Sequence, residues 1–265
     1  MHDHVVVEVV QLERKMRGGC QSALVLGADG NRYILKCFGN PQGSHTLFHE
    51  ALGSQLARVL NLPVPNWHPL YLSPDFIKAH PDLAFSLSGH ERTQPSAGLH
   101  FGSAFVDAEG SGEVYEVIPS SWFNRISNRE DFVGMLLLDR WTDHLDRRQA
   151  LFRRNADSDA LEAIFIDHGQ MFGDHHSPLR SRRGRARFLD ARIYKDWCRE
   201  AALQVWYEGI VNVDEATLDD LMGTIPSEWI SIFHAANVVR TLLEGKAALM
   251  DDIATLRSDL AEVAP

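Results

Sequence analysis

Short apolar and alternating stretches fill the first forty residues and predict strands at Val5 to Gln11, Ser22 to Leu26 and Arg32 to Phe38. Asp29-Gly30, between the last two, predicts a hairpin turn, because that pair accepts the positive φ such turns need. The period then changes. Leu47, Phe48, Ala51, Leu52, Leu56, Val59 and Leu60 recur at helical spacing, which predicts a helix over Thr46 to Leu60 that Pro63-Val64-Pro65 brings to a stop. Trp67 to Leu72, Leu99 to Phe105 and Val114 to Ile118 read as strands, with Pro74 to Gly98 irregular between them.

Beyond Pro119 the pattern is mostly helical, at Glu130 to Thr142, Ala201 to Glu208, Leu218 to Met222 and Trp229 to Leu256. One exception interrupts it: Ala150 to Phe152 and Ala163 to Ile166 flank the turn-like Asn155 to Asp159 and predict a hairpin within the helical half. A β-rich half with one helix followed by an α-rich half with an embedded β-hairpin implies an α+β chain. The expected organisation is an N-terminal lobe over residues 1–118 and a helical lobe over 119–265 sharing a cleft.

Composition narrows the classes. A chain of 265 residues, 45% hydrophobic, buries a sizeable core. A formal net charge of −10 opposes whole-molecule binding to nucleic acid or an anionic membrane surface, so either partner would need a local basic segment. Cys20, Cys37 and Cys198 have no metal-ligand spacing and leave one thiol over, which fits reduced cytoplasmic cysteines. The N-terminus lacks a signal-peptide pattern, and no apolar run approaches the about 18 residues of a membrane span. The expectation is a soluble cytoplasmic protein.

Four short motifs carry chemistry. Lys36 ends the apolar run Tyr33-Ile34-Leu35, where a buried ammonium needs a partner, and Glu50 on the following helix could supply it. A strand lysine held by a helix glutamate suits phosphate recognition; the alternative is an edge lysine reaching water. Ahead of it, Gly18 and Gly19 in Arg17-Gly18-Gly19-Cys20-Gln21-Ser22 could bring backbone N–H groups close to a phosphate or simply form a turn. In Asp139-Arg140-Trp141-Thr142-Asp143-His144-Leu145-Asp146-Arg147-Arg148-Gln149, Asp146 could orient the proton of an attacking hydroxyl. Arg147 or the Gln149 amide could steady phosphate charge or a metal there; the alternative is a polar helix end. Finally, Ile164-Phe165-Ile166-Asp167-His168-Gly169 delivers one carboxylate into a glycine turn, a hard oxygen donor suited to magnesium.

Lys36 to Pro65, with Gly39-Asn40-Pro41-Gln42-Gly43 and Glu50, together with Trp141 to Gln149 and Ile166-Asp167-His168-Gly169, resembles the HipA-like kinases. The resemblance implies a protein-kinase-like fold and use of ATP with Mg2+. It also implies Lys36 paired with Glu50, Asp146 as catalytic aspartate and Asp167 as metal ligand, with a serine or threonine acceptor. Two positions depart from the family pattern: His144 and Leu151 stand where the family carries asparagine. With Leu151 in place of a second metal-binding amide, Gln149 is the nearest candidate for that role.

Arg180, Arg182, Arg183, Arg185 and Arg187 form a basic run after Asp167, either a solvated loop or a receptor for phosphate or an acidic substrate. His175 and His176, adjacent in sequence, are assigned no metal site. Three rivals stay open: a small-molecule kinase on the same fold, a pseudokinase-type binding module, and a regulator touching nucleic acid through the arginine run.

Overall fold

The computed structural model describes residues 5–16, 21–40, 43, 45–85, 92–107, 112–173, 187–195 and 200–262. Five strands form a closed sheet: β1 (Val7–Lys15), β2 (Ala23–Gly27), β3 (Arg32–Lys36), β4 (Trp67–Leu72) and β5 (Gly98–Ala104), in the order β1-β2-β3-β5-β4. All neighbours are antiparallel except β1 and β4, which are parallel and close the sheet. Its interior is filled by Val7, Val9, Val25, Tyr33, Leu35, Leu70 and Leu72. At the β2–β3 turn Gly30 has φ +81, and the Asp29 carboxylate accepts from Asn31 N–H at 3.1 Å and from Tyr33 Oη at 2.6 Å. The expected Asp-Gly hairpin is present.

Helix α1 (Thr46–Val59) follows β3. Every residue from Leu47 to Ala57 is buried, polar ones included, so the helix is enclosed on all sides rather than amphipathic. Its end is set by Asn61 at φ 56, with Leu62 N–H returning to Ala57 O at 2.8 Å, a left-handed cap before the prolines.

Helix α2 (Pro74–Ala79) corrects the reading of Pro74 to Gly98 as irregular throughout. Ser73 Oγ accepts the Phe76 N–H at 3.1 Å, and Pro74 occupies the first helical turn, where its missing N–H costs nothing. Further along, a short β6 (Val114–Tyr115) is followed by α3 (Asp131–Trp141), β7 (Gln149–Arg154) and β8 (Leu161–Ile166), then α4 (Glu200–Val211), α5 (Glu215–Met222) and α6 (Ile232–Glu262). The embedded hairpin is present, and β6 adds to it as a third strand rather than joining the closed sheet.

The larger core joins parts distant in sequence. Leu47, Phe48, Leu52 and Leu56 of α1 pack in one cluster with Phe132, Leu136, Phe165, Trp229 and Leu242. Trp67 and Phe101, on the outer side of the closed sheet, belong to it as well. Burying leucines such as Leu52 and Leu56 completely is worth roughly 2 kcal/mol each, and the cluster that buries them draws on the helical half. No helix among the described residues is long and apolar enough to cross a membrane.

Candidate active site

Lys36, at the end of β3, is 8% exposed, a setting in which an unpaired ammonium would be strongly unfavourable. Its Nζ donates to Glu50 Oε1 on α1 and to Asp167 Oδ1 at 3.0 Å. The other Glu50 oxygen accepts the His168 N–H at 3.1 Å. One lysine thus faces two carboxylates. The Lys36 ammonium holds the Asp167 carboxyl well below the usual carboxylate range. Burial pushes the Glu50 carboxyl up; Lys36 opposes that push and the charge on Asp167 adds to it. Negative charge is therefore concentrated on Asp167, the more exposed of the two acids.

Asp167 has φ +65, a left-handed conformation that a non-glycine residue holds only when its surroundings impose it. Arg148 supplies much of that constraint. Its Nη1 donates to the carbonyls of Ile166 at 2.8 Å and of Asp167 at 3.0 Å, while its Nε donates to Asp139 Oδ2 at 3.1 Å and its Nη2 to Asp139 Oδ1. His144 Nδ1 lies 3.1 Å from the same Asp139 oxygen. Burial alone would raise the Asp139 carboxyl, but Arg148 and His144 hold it down to about 2. Arg148 Nη1 also lies 3.3 Å from His168 Nδ1; a guanidinium only donates, so that nitrogen accepts. Burial, with the Arg148 charge, keeps His168 neutral by lowering it well below its ordinary value.

This buried network was not anticipated from the sequence. The available signal was Asp139, an acid directly after Leu136, Leu137 and Leu138 on a helix whose middle is apolar, together with an arginine nine residues later. Local spacing did not indicate that the arginine would also reach the carbonyls on either side of Asp167.

Helix α1 lies directly on the turn after β8. A Cβ on Gly169 would stand 2.6 Å from Glu50 Oε1 and 2.8 Å from Thr46 Cγ2, and one on Gly53 would stand 2.8 Å from His168 Cβ. Glycine at these two places permits the approach. His49 Nδ1 must donate to Gly169 O, 3.2 Å away, because a carbonyl only accepts, and His49 Nε2 lies 2.7 Å from His234 Nε2 on α6.

The sequence candidates separate into groups. Lys36, Glu50, Asp167 and Gln149 are brought together: Gln149 opens β7 opposite Ile166, and its Nε2 donates to Asp167 Oδ2 at 2.8 Å. Asp146 and Arg147 stand on the exposed loop just before Gln149, where the Asp146 carboxylate accepts the Arg147 N–H at 2.7 Å. Leu151 lies within β7 opposite Ile164 and presents no polar group. Gly18, Gly19, His175, His176, Arg180, Arg182, Arg183 and Arg185 lie outside the described residues; Arg187 lies within them.

Among the described residues no group of three or more His, Cys, Asp or Glu side chains has the arrangement of a metal cage. The Asp167 carboxylate and the Gln149 amide oxygen are hard donors. A cation such as magnesium takes such donors one or two at a time and fills its shell with water and phosphate oxygens; here Gln149 turns its amide nitrogen, not its oxygen, toward Asp167.

The HipA-like kinase family matches residues 6–250 of the chain. Among solved structures, a Golgi casein kinase with Mn and ADP bound is 13% identical, with a TM-score of 0.53 covering 93% of this chain and 72% of that one. The Helicobacter pylori proinflammatory kinase CtkA is 11% identical, with a TM-score of 0.54 covering 95% of this chain and 98% of that one. These likenesses identify the fold as protein-kinase-like. Among curated proteins no match is found.

Proposed function

Because the chain belongs to the HipA-like kinase family, we propose that it is a two-lobed, cytoplasmic, ATP- and magnesium-dependent phosphotransferase acting on a serine or threonine hydroxyl of a protein. The observation that carries this reading is the convergence of Lys36, Glu50, Asp167 and Gln149 from β3, α1, the end of β8 and the start of β7. A cation on a strand, aimed by a helix carboxylate toward a carboxylate at a glycine turn, suits a polyphosphate with a divalent metal.

The roles follow from charge and position. Lys36 would hold nucleotide phosphates, oriented by Glu50, in the cleft between residues 1–118 and 119–265. Asp167 and, once its amide turns to present the oxygen, Gln149 would hold magnesium, which when bound offsets the charge on the phosphates. Asp146, exposed and three residues before Gln149, would orient the acceptor hydroxyl and take up its proton. Arg147 would steady negative charge beside it.

Leu151 favours a second reading. With an apolar side chain where the family carries a metal-binding amide, the cleft could bind nucleotide without transferring phosphate, as a pseudokinase module does.

Calorimetric titration of ATP with and without magnesium into folded wild type and Asp167→Asn tests the first reading. Magnesium-dependent binding that the substitution weakens at least tenfold is the expected result. Folded wild type that binds no ATP would overturn the nucleotide-dependent reading and favour a scaffold.

A further inference from the structure

We propose that the acceptor is an acidic segment, recognised by Arg147 and Arg187 near Asp146; this rests on the phosphotransferase reading of Asp146. Arg147 is exposed beside it. The basic run of the sequence ends at the same place: Arg148 N–H donates to Arg187 O at 3.3 Å, and Arg148 pairs with Phe188 in a parallel bridge. The bridge fixes the backbone of Arg187 next to the catalytic-loop candidate.

Phe188 makes that position rigid. Its ring meets Phe132 edge-on at 5.1 Å and Phe152 at 6.0 Å, and its N–H donates to Tyr194 Oη at 2.9 Å. Aromatic edge-to-face contacts and this hydrogen bond tether the backbone beside Arg187. In sequence, Arg180, Arg182, Arg183 and Arg185 precede it.

Charge pairing divides the arginines of the described residues. Arg32, Arg125, Arg148, Arg153, Arg154, Arg192 and Arg240 each face a carboxylate. Among the described residues Arg147 and Arg187 face none, and neither do Arg14, Arg58 and Arg92; what sets Arg147 and Arg187 apart is that both adjoin Arg148, beside Asp146. In a chain of net charge −10, two uncompensated guanidiniums beside the proposed catalytic carboxylate offset the repulsion that Asp146 would exert on an acidic acceptor. Guanidiniums also match carboxylate or phosphate geometry in pairs. Basic acceptors would meet repulsion from the arginines and attraction to the rest of the acidic surface, so discrimination, more than affinity, is the expected consequence.

The test is fluorescence anisotropy with three labelled peptides, each a serine flanked by aspartates, alanines or arginines, against wild type, Arg147→Glu and Arg187→Glu. Thermal melts check folding, with Arg147→Gln and Arg187→Gln in reserve. Wild type should bind the acidic peptide about tenfold tighter than the alanine peptide at low salt, with the preference lost on raising salt. Each charge reversal should remove most of that preference. Equal binding of the three peptides, tighter binding of the arginine peptide, or an acidic preference unchanged in both reversals would overturn the proposal. ATP calorimetry on the same samples reports separately: acidic-peptide selectivity without nucleotide binding leaves this surface standing and overturns phosphotransfer.

Discussion

Arg148 Nη1 donates to the main-chain carbonyl of Asp167 at 3.0 Å, so the segment that carries Asp146 and the turn that carries Asp167 are held by one guanidinium. The same guanidinium neutralises Asp139 at the end of α3. Asp139 on α3, the loop of Asp146 and the turn after β8 meet at a single buried side chain, which holds the carbonyls on both sides of the left-handed Asp167.

Replacing that side chain should therefore cost more than a surface ion pair. Arg148→Ala leaves Asp139 as a buried charge without its main partner and frees the Ile166 and Asp167 carbonyls, a loss of roughly 3–5 kcal/mol. Urea denaturation of the variant should show the midpoint falling accordingly. Arg148→Lys restores the charge but not the forked geometry and should recover only part of the loss.

The same pair sets a pH dependence. The Asp139 carboxyl is held down to about 2 in the folded protein, below its ordinary value of 3.8. A depressed carboxyl contributes stability that is complete above the unfolded value and is lost as pH falls through the folded one. The contribution, on the order of 2 kcal/mol, should be present at neutral pH and disappear between about pH 4 and pH 2. Asp139→Asn should be less stable than wild type at pH 7, with the gap narrowing over that acid window in urea melts at stepped pH. A constant gap across the window would contradict this account.

Gly169 tests the packing of α1 on the turn. A methyl group there meets Glu50 Oε1 at 2.6 Å, and the carboxylate must move away from Lys36 to admit it. Gly169→Ala should lose roughly 1–3 kcal/mol through overpacking and weaken ATP binding at the same time. Gly30→Ala is the comparison: no atom lies within 4 Å of its added Cβ, and its strain arises from φ +81 in a hairpin turn. That variant should lose about 1 kcal/mol and leave ATP binding unchanged in the calorimeter.

The amino-acid sequence by itself determined the succession of elements, because strand alternation, helical period, turns and stops are local properties. The β2–β3 hairpin, α1, α3 and the hairpin of β7 and β8 were legible for that reason. Lys36 was also legible as a charge in need of a partner, since it ends an apolar strand and an acid follows on the next helix. The short helix α2 was passed over although its Ser73-Pro74 cap is local, because a six-residue helix is too brief for periodicity to register. Tertiary structure alone decided the rest. Nothing local places β6 beside β7, seats α1 in the core of the helical half, or directs Arg148 to carbonyls on a strand eighteen residues later. Those outcomes follow from burial: the core takes in the apolar faces of distant elements, and each polar group carried in with them must find its partner there.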